Sequence, residues 1–245
     1  MGGRCLVVAS PRLKKFFEAV AGILSSAYPD LDQVFLPLPV SVERELAASI
    51  VSGASFSEFL RGYGEVFAKY FYFLKPVYNA ILSMWTGEPG VEVLCYLPGT
   101  PEDAVSFSVE AGLLVAKTVI TGRVDVDAWL ALLSKVGEPR EEADLISFRL
   151  MGKAFIVATR AGTRIARILS GKGVLLDLVE LGPYVPTPLE RLLEGPRDPR
   201  RVERLVLEHA EYVRNYVLTS RDLDEAYMKW VKRVHPWLGL YRGGL

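Results

Sequence analysis

The chain has 245 residues, half of them hydrophobic, with 29 Lys and Arg against 29 Asp and Glu. That length is enough for one large α/β domain with a helical appendage, and it excludes nothing smaller than a sizeable core. A formal charge of zero argues against a general nucleic-acid binder, which carries a basic excess or a basic stripe.

Residues 4–9 are a continuous apolar run and predict a first strand. Ser10-Pro11 then reads as a helix start, with Ser as N-cap and Pro at the first helical position. The helix carries Leu13, Phe16, Phe17, Val20, Ile23 and Leu24 on one face and ends near Tyr28-Pro29. Residues 33–38 predict the second strand, closed by Pro37 and Pro39, which have no N–H to donate. Ser41 is expected to cap the next helix, with Glu43 and Glu45 in the first turn, where acids favour the helix dipole. A helix restarts at 56–61 behind Ser55 or Ser57.

Residues 66–85 hold seven aromatic side chains: Phe67, Tyr70, Phe71, Tyr72, Phe73, Tyr78 and Trp85. Lys69, Lys75, Pro76 and Asn79 interrupt the run. A spanning helix needs ~20 mostly apolar residues, so this stretch reads as a buried or interface helix and no membrane span is expected. The N-terminus lacks a secretory signal pattern, because Pro11 and a basic run follow its short apolar stretch. Leu6 stands where a myristoylation signal has Ser or Thr. A cytoplasmic location is the expectation.

Residues 91–97 predict the third strand. Thr100 is an N-cap, with Pro101 at the first helical position and Asp103 three residues after the cap. This helix runs to about Thr121 with Gly112 inside it. Two more helices follow, 124–136 behind Asp125 or Asp127, and 139–150. Residues 153–181 read strand, turn, helix, turn, strand. Residues 155–158 and 174–179 are the two apolar runs, Thr163 is a plausible N-cap, and Gly171 and Gly173 stop the helix. Such a βαβ unit implies a parallel sheet buried on both faces.

Prolines 183, 186, 188, 196 and 199 punctuate a connector around one short helix, and two amphipathic helices, 200–218 and 222–234, close the chain. Strands alternate with helices throughout. The expectation is an α/β fold with a doubly wound, mainly parallel five-stranded sheet in the order 2-1-3-4-5, with 3-2-1-4-5 as the alternative. Residues 1–182 form the Rossmann-like domain, and 183–245 the connector and the C-terminal helices packed on it.

Cys5 and Cys95 both fall in predicted strands and read as small buried hydrophobes. A disulfide between them is the minor alternative, open only if the strands are neighbours. One glutamine, Gln33, and two asparagines, Asn79 and Asn215, stand among many Arg, Glu and Pro, a pattern that suits a thermophilic source.

In an open parallel sheet, ligands bind outside the carboxyl ends of the strands. The loops there offer Ser10 and Arg12; Ser41, Glu43 and Arg44; Thr100, Glu102 and Asp103; Thr159, Arg160, Thr163 and Arg164; and Tyr184, Thr187 and Glu190. Hydroxyl residues at helix starts are capping groups first, although such starts also hold anions. Two arginines beside a glycine turn at residues 159–164 exceed what a cap needs. Neither a Walker loop nor a dinucleotide fingerprint is present, and no motif asks for a cofactor. His209 and His235 lie in the helical tail, away from the strand ends. With two His and two buried Cys, no metal site and no Ser-His-acid triad is expected.

AFIVATRAGTRIARILSGKGVLLDL, with FLPLPVSVERE and VVASPRLKKF before it, resembles in layout the TraB/PrgY-like proteins and the related erythromycin-esterase-like and ChaN-like domains. The resemblance spans roughly residues 4–182. In that group histidines mark the first and the late turn, and a glutamate marks the strand between. Here Ser10-Pro11 and Thr159-Arg160 stand where the histidines would be. The resemblance therefore implies a copy in which that chemistry is lost or changed, and it carries over no catalytic residue.

Three functional readings follow. The first is a binding domain for a small anionic ligand at the strand ends, with Arg12, Arg160 and Arg164 as charge partners. The second is a hydrolase or transferase on an anionic substrate, using one carboxylate, Glu43 or Glu102. The third is a partner-binding homo-oligomer such as a homodimer, using the aromatic stretch or the C-terminal helices.

Overall fold

The structure, a computed structural model, describes residues 4–85, 90–136, 139–159, 162–182, 185–195 and 197–236. By its internal contacts the chain divides into two compact units, residues 1–105 with 137–182 and residues 106–136 with 183–245. Residues 106–136 group with the C-terminal helices and not with the sheet.

The first unit holds five parallel strands: β1 (Arg4–Ala9), β2 (Gln33–Pro39), β3 (Glu92–Leu97), β4 (Lys153–Ala158) and β5 (Leu175–Glu180). Its helices are α1 (Lys14–Ala27), α2 (Glu43–Val51), α3 (Phe56–Arg61), α4 (Glu65–Phe71), α5 (Lys75–Met84), the start of α6 (Pro101–Thr121), α8 (Pro139–Arg149) and α9 (Gly162–Gly171). The second unit holds the rest of α6, α7 (Val126–Ser134), α10 (Pro188–Glu194), α11 (Pro199–Tyr212) and α12 (Leu223–Val234).

The doubly wound parallel sheet is present, but its order is β3-β2-β4-β1-β5, which is neither expected order. The order 3-2-1-4-5 differs from it by the exchange of β1 and β4. Here β4 inserts between β2 and β1, so both β4 and β5 hydrogen-bond to β1. The βαβ unit thus steps over β1 and does not join neighbours. Residues 174–179, expected to be buried, lie almost wholly in β5, which forms an exposed sheet edge with Leu175 and Leu178 in the open.

The connections divide between the two faces. Phe17, Val20 and Leu24 of α1 and Leu46 and Ile50 of α2 pack with Val8, Val34, Leu36 and Val157 on one face. Ala143 and Ile146 of α8 and Ile165, Ala166 and Leu169 of α9 pack with Val7, Phe35, Tyr96 and Ile156 on the other. The period-two alternation of each strand separates these sets, and both faces are apolar because both are covered.

The aromatic stretch is not one helix. It forms α4, a 3-10 turn (Tyr72–Leu74) and α5, and its rings close a chain of contacts: Phe67 on Phe71, Tyr70 on Phe71, and Phe17 of α1 edge-on to Phe73. Phe67, Phe71, Phe73 and Tyr78 are buried, so the stretch is core and not an open interface. Each such ring pair adds about 0.5–1.5 kcal/mol beyond its area burial.

The thiols of Cys5 and Cys95 are free and buried. β1 and β3 are separated by β2 and β4, so the disulfide alternative falls. Burial raises the Cys5 thiol to about 11 and pushes Cys95 higher still. Gln33, also buried, donates to Glu92 and to the Arg149 carbonyl, and accepts from the Met151 N–H at 2.7 Å. That one amide ties the amino ends of β2 and β3 to the turn before β4.

In the second unit, Trp129 of α7 packs with Leu132, Leu133, Val202, Leu205 and Val206. The expected helix 200–218 is α11 followed by a π-helical segment, Val213–Val217. His209 is buried, stacks on Tyr212, and is lowered by burial to about 4.

Candidate functional site

The exits of β1 and β2 turn to one face of the sheet, and the exit of β4, which lies between them, turns to the other. That is a topological switch point at the carboxyl end of β4, the place where open parallel sheets bind ligands.

Ser10 does not cap α1. Its N–H donates to the Ala158 carbonyl at 2.9 Å, extending the β1–β4 ladder by one residue, and its hydroxyl turns to the Pro11 carbonyl. The helix begins at Lys14, behind Leu13, with no side-chain cap. Pro11 favours a turn here because its ring fixes φ and removes the N–H. The short loop that results carries Arg12 to the aromatic side chains of Tyr70 and Phe73. The Arg12 guanidinium lies over the Tyr70 ring at 4.8 Å, and it donates to the Tyr70 hydroxyl.

One titratable residue was not singled out from the sequence. Glu142 lies in the first turn of α8, one residue before the buried Ala143 and one turn before Ile146. Burial raises its carboxyl from the ordinary 4.5 to about 7, against the lowering effect of the Arg12 charge and with a small push from Glu141. Desolvation therefore outweighs the cation. The result is a carboxyl group that gains and loses its proton near neutrality.

The packing at the carboxyl ends of β1 and β4 is apolar and tight. Gly162 opens α9 so close to the strand ends that a Cβ there would lie 2.7 Å from the Ala158 Cβ and 2.8 Å from the Ala9 Cβ. Glycine is needed for the close approach and for no other reason. Gly162→Ala is expected to destabilise the protein by about 1–3 kcal/mol, read as a lower urea midpoint, because neither alanine has a flexible end that could yield. An unchanged midpoint would show that α9 has room to move. Alongside, the pairing of β2 with β4 runs only from Gln33 to Phe35, before Pro37. The Tyr96 hydroxyl donates to the Val157 carbonyl at 2.9 Å in place of a ladder N–H.

The other expected site residues divide as follows. Thr159 is half-buried at the end of β4, and its carbonyl accepts from the Gly162 N–H. Thr163 and Arg164 lie inside the first turn of α9, so Thr163 is not an N-cap. Arg160 and Tyr184 lie outside the described residues. Thr100 is an N-cap as expected, in a reciprocal pair with Asp103, and Glu102 beside it is exposed. Ser41 is not a cap; its hydroxyl donates to the Gly99 carbonyl, and α2 begins at Glu43 behind Val42. Thr187 and Glu190 form the capping box of α10 in the second unit.

Glu43 belongs to a different structure. Its carboxylate takes a two-pronged ion pair from Arg149, at 2.5 and 2.8 Å, and accepts from the Cys95 N–H at 2.7 Å. Arg149 donates in turn to the Cys95 carbonyl at 3.2 Å. β3 is a sheet edge, so this pair occupies the hydrogen-bonding positions that a sixth strand would use.

Of the residues expected to act together, then, Ser10 joins the end of β4 and Arg12 packs on Tyr70, while Glu43 pairs with Arg149, Thr100 caps α6 and Glu102 is exposed. Among the described residues, no three His, Cys, Asp or Glu side chains gather where a metal could be held. Comparison with family models, with curated proteins and with solved structures gave no match. The class defined by the fold is therefore as far as kinship goes: a doubly wound parallel α/β domain.

Proposed function

We propose that the crevice at the carboxyl end of β4 binds a small anionic ligand, with Arg12 and the N-terminal turn of α9 as its positive partners. The reading is supported by Arg12, held over the Tyr70 ring on the short loop after β1, and by the Glu142 carboxyl, which burial raises and on which the Arg12 charge acts. Arg12 lies over an aromatic ring, and a guanidinium is a planar donor set suited to phosphate or carboxylate. Arg164, in the first turn of α9, adds to the same field.

A second reading is favoured by Glu142 itself. A carboxyl group that titrates near neutrality beside a cation, in a cleft, is what general acid–base chemistry needs. The carboxylate of a hydrolase or transferase would then be Glu142, since Glu43 is committed to Arg149 and Glu102 faces solvent.

The binding reading is tested by isothermal titration with pyrophosphate and with oxalate. The wild-type chain is expected to bind one of them, and Arg12→Gln to weaken that binding by roughly tenfold or more. Unchanged affinity in Arg12→Gln, or no binding of either probe, would overturn the reading.

A further inference from the structure

Among the described residues, α6 is the one helix long and apolar enough, by length and composition, to cross a membrane, with a mean hydropathy of 1.5 over its best window and 17% of that window buried. Its apolar character has two sources. Ala111, Val115 and Thr118 are buried on one face, with Phe107 and Leu114 packed beside them in the core of the second unit. The opposite face carries Val109, Leu113 and Ile120, exposed by 47%, 66% and 83%, and the exposed Ala116 between them. Positions 109, 113, 116 and 120 repeat by four, three and four, which is the spacing of a coiled-coil seam.

We infer that this seam is the contact face for a second copy of the same chain, with the two α6 helices packed antiparallel about a two-fold axis. The charges beside the seam select this occupant and this direction. Glu110 and Lys117 lie on the same flank, each one residue past a seam position. When Leu113 faces Ala116 of the second copy, and Val109 faces its Ile120, Glu110 comes level with Lys117 of that copy on the same side. The two-fold axis repeats the pair, so one contact face supplies two ion pairs. A parallel pairing sets Gly112 against Lys117 and Val105 against Glu110 and matches no charges. Glu110 is held by Lys135 at 2.7 Å and Lys117 by Asp125 at 2.9 Å, and all four side chains stay well exposed. Their flank is thus ordered and still open to the facing helix. Gly112, on the other flank, leaves room for close approach. A lipid surface fits less well, because the apolar strip is narrow and a charged flank runs beside it.

The full-length chain tests this in sedimentation equilibrium across concentration. The wild type is expected to associate reversibly to a dimer, and Leu113→Glu to remain a monomer with an unchanged circular-dichroism spectrum. Glu110→Lys and Lys117→Glu are each expected to weaken association by roughly tenfold, and the two variants mixed in equal amounts to associate with each other again. A wild type that stays monomeric, a dimer indifferent to Leu113→Glu, or a mixture that fails to restore association would overturn the proposal. So would co-sedimentation of a monomeric wild type with phosphatidylcholine–phosphatidylglycerol vesicles, lost in Leu113→Glu, which would assign the seam to lipid.

Discussion

Glu142→Gln should make the protein more stable at pH 8 and should flatten its stability between pH 4.5 and 7. The folded carboxyl holds its proton up to about 7, whereas the unfolded one releases it near 4.5. Between those values the folded state binds the extra proton, so stability falls as pH rises. Below the window both states are protonated and the group contributes nothing. Above it both are ionised, and the folded state bears the full desolvation penalty. A shift of this size corresponds to about 3 kcal/mol, because each pKa unit is ~1.4 kcal/mol. Glutamine keeps the shape and removes the charge. Urea midpoints at pH 4.5, 6 and 8 should converge for wild type and variant at the acid end and diverge at the alkaline end. Parallel curves would mean that Glu142 is solvated and that the crevice is open to water.

The second large effect belongs to the edge of β3. Glu43→Ala leaves the Arg149 guanidinium half-buried without its carboxylate, and it also leaves the Cys95 N–H without an acceptor. Removing one partner of a buried ion pair costs about 3–5 kcal/mol. With both side chains a little over one-fifth exposed, at 22% and 23%, solvent screens part of that, and about 2–3 kcal/mol is expected. The double variant Glu43→Ala, Arg149→Ala should recover part of the loss, because no uncompensated charge remains. Both variants uncover the edge strand and should aggregate faster than wild type on mild heating, followed by light scattering. A single variant as stable as wild type would show that the pair is decoration on an edge protected by other means.

The difference between what could and could not be read from the chain has a physical basis. β1 to β4 are short apolar runs covered on both faces and β5 is a short apolar run at an exposed edge, so all five were legible, β1 to the residue and the others to within about two residues. Strand order was not. It depends on which crossovers step over a neighbour, and no local residue encodes that β4 enters between β2 and β1. The adjacency of β1 and β4, on which the site depends, is satisfied by the observed order.

Capping chemistry was legible where the helix start is free in solvent, outright at Thr100 and as one of two candidates at Ser55 and Asp125. It misled at Ser10 and Thr163. There the sheet ladder and the close approach of Gly162 decide where the helix starts. Glu43 and Glu142 show the same limit at the level of charge. Glu43 reads locally as a first-turn acid serving a helix dipole, and Glu142 as one more charge on an amphipathic helix. One is claimed by Arg149, 106 residues away in sequence. The other is desolvated where α8 packs on the sheet. A signal for Glu142 was present: it directly precedes Ala143 and leads by one turn Ile146, the two positions that α8 must bury.

The most direct measurement is a carbon-13 NMR titration of the Glu142 carboxyl, with and without pyrophosphate. A midpoint near 7 that moves upward when the anion occupies the crevice is the predicted result, since a second negative charge beside a desolvated carboxylate favours its protonated form. A midpoint near 4.5, unmoved by pyrophosphate, would contradict the account, because Glu142 would then be solvated and apart from any bound anion.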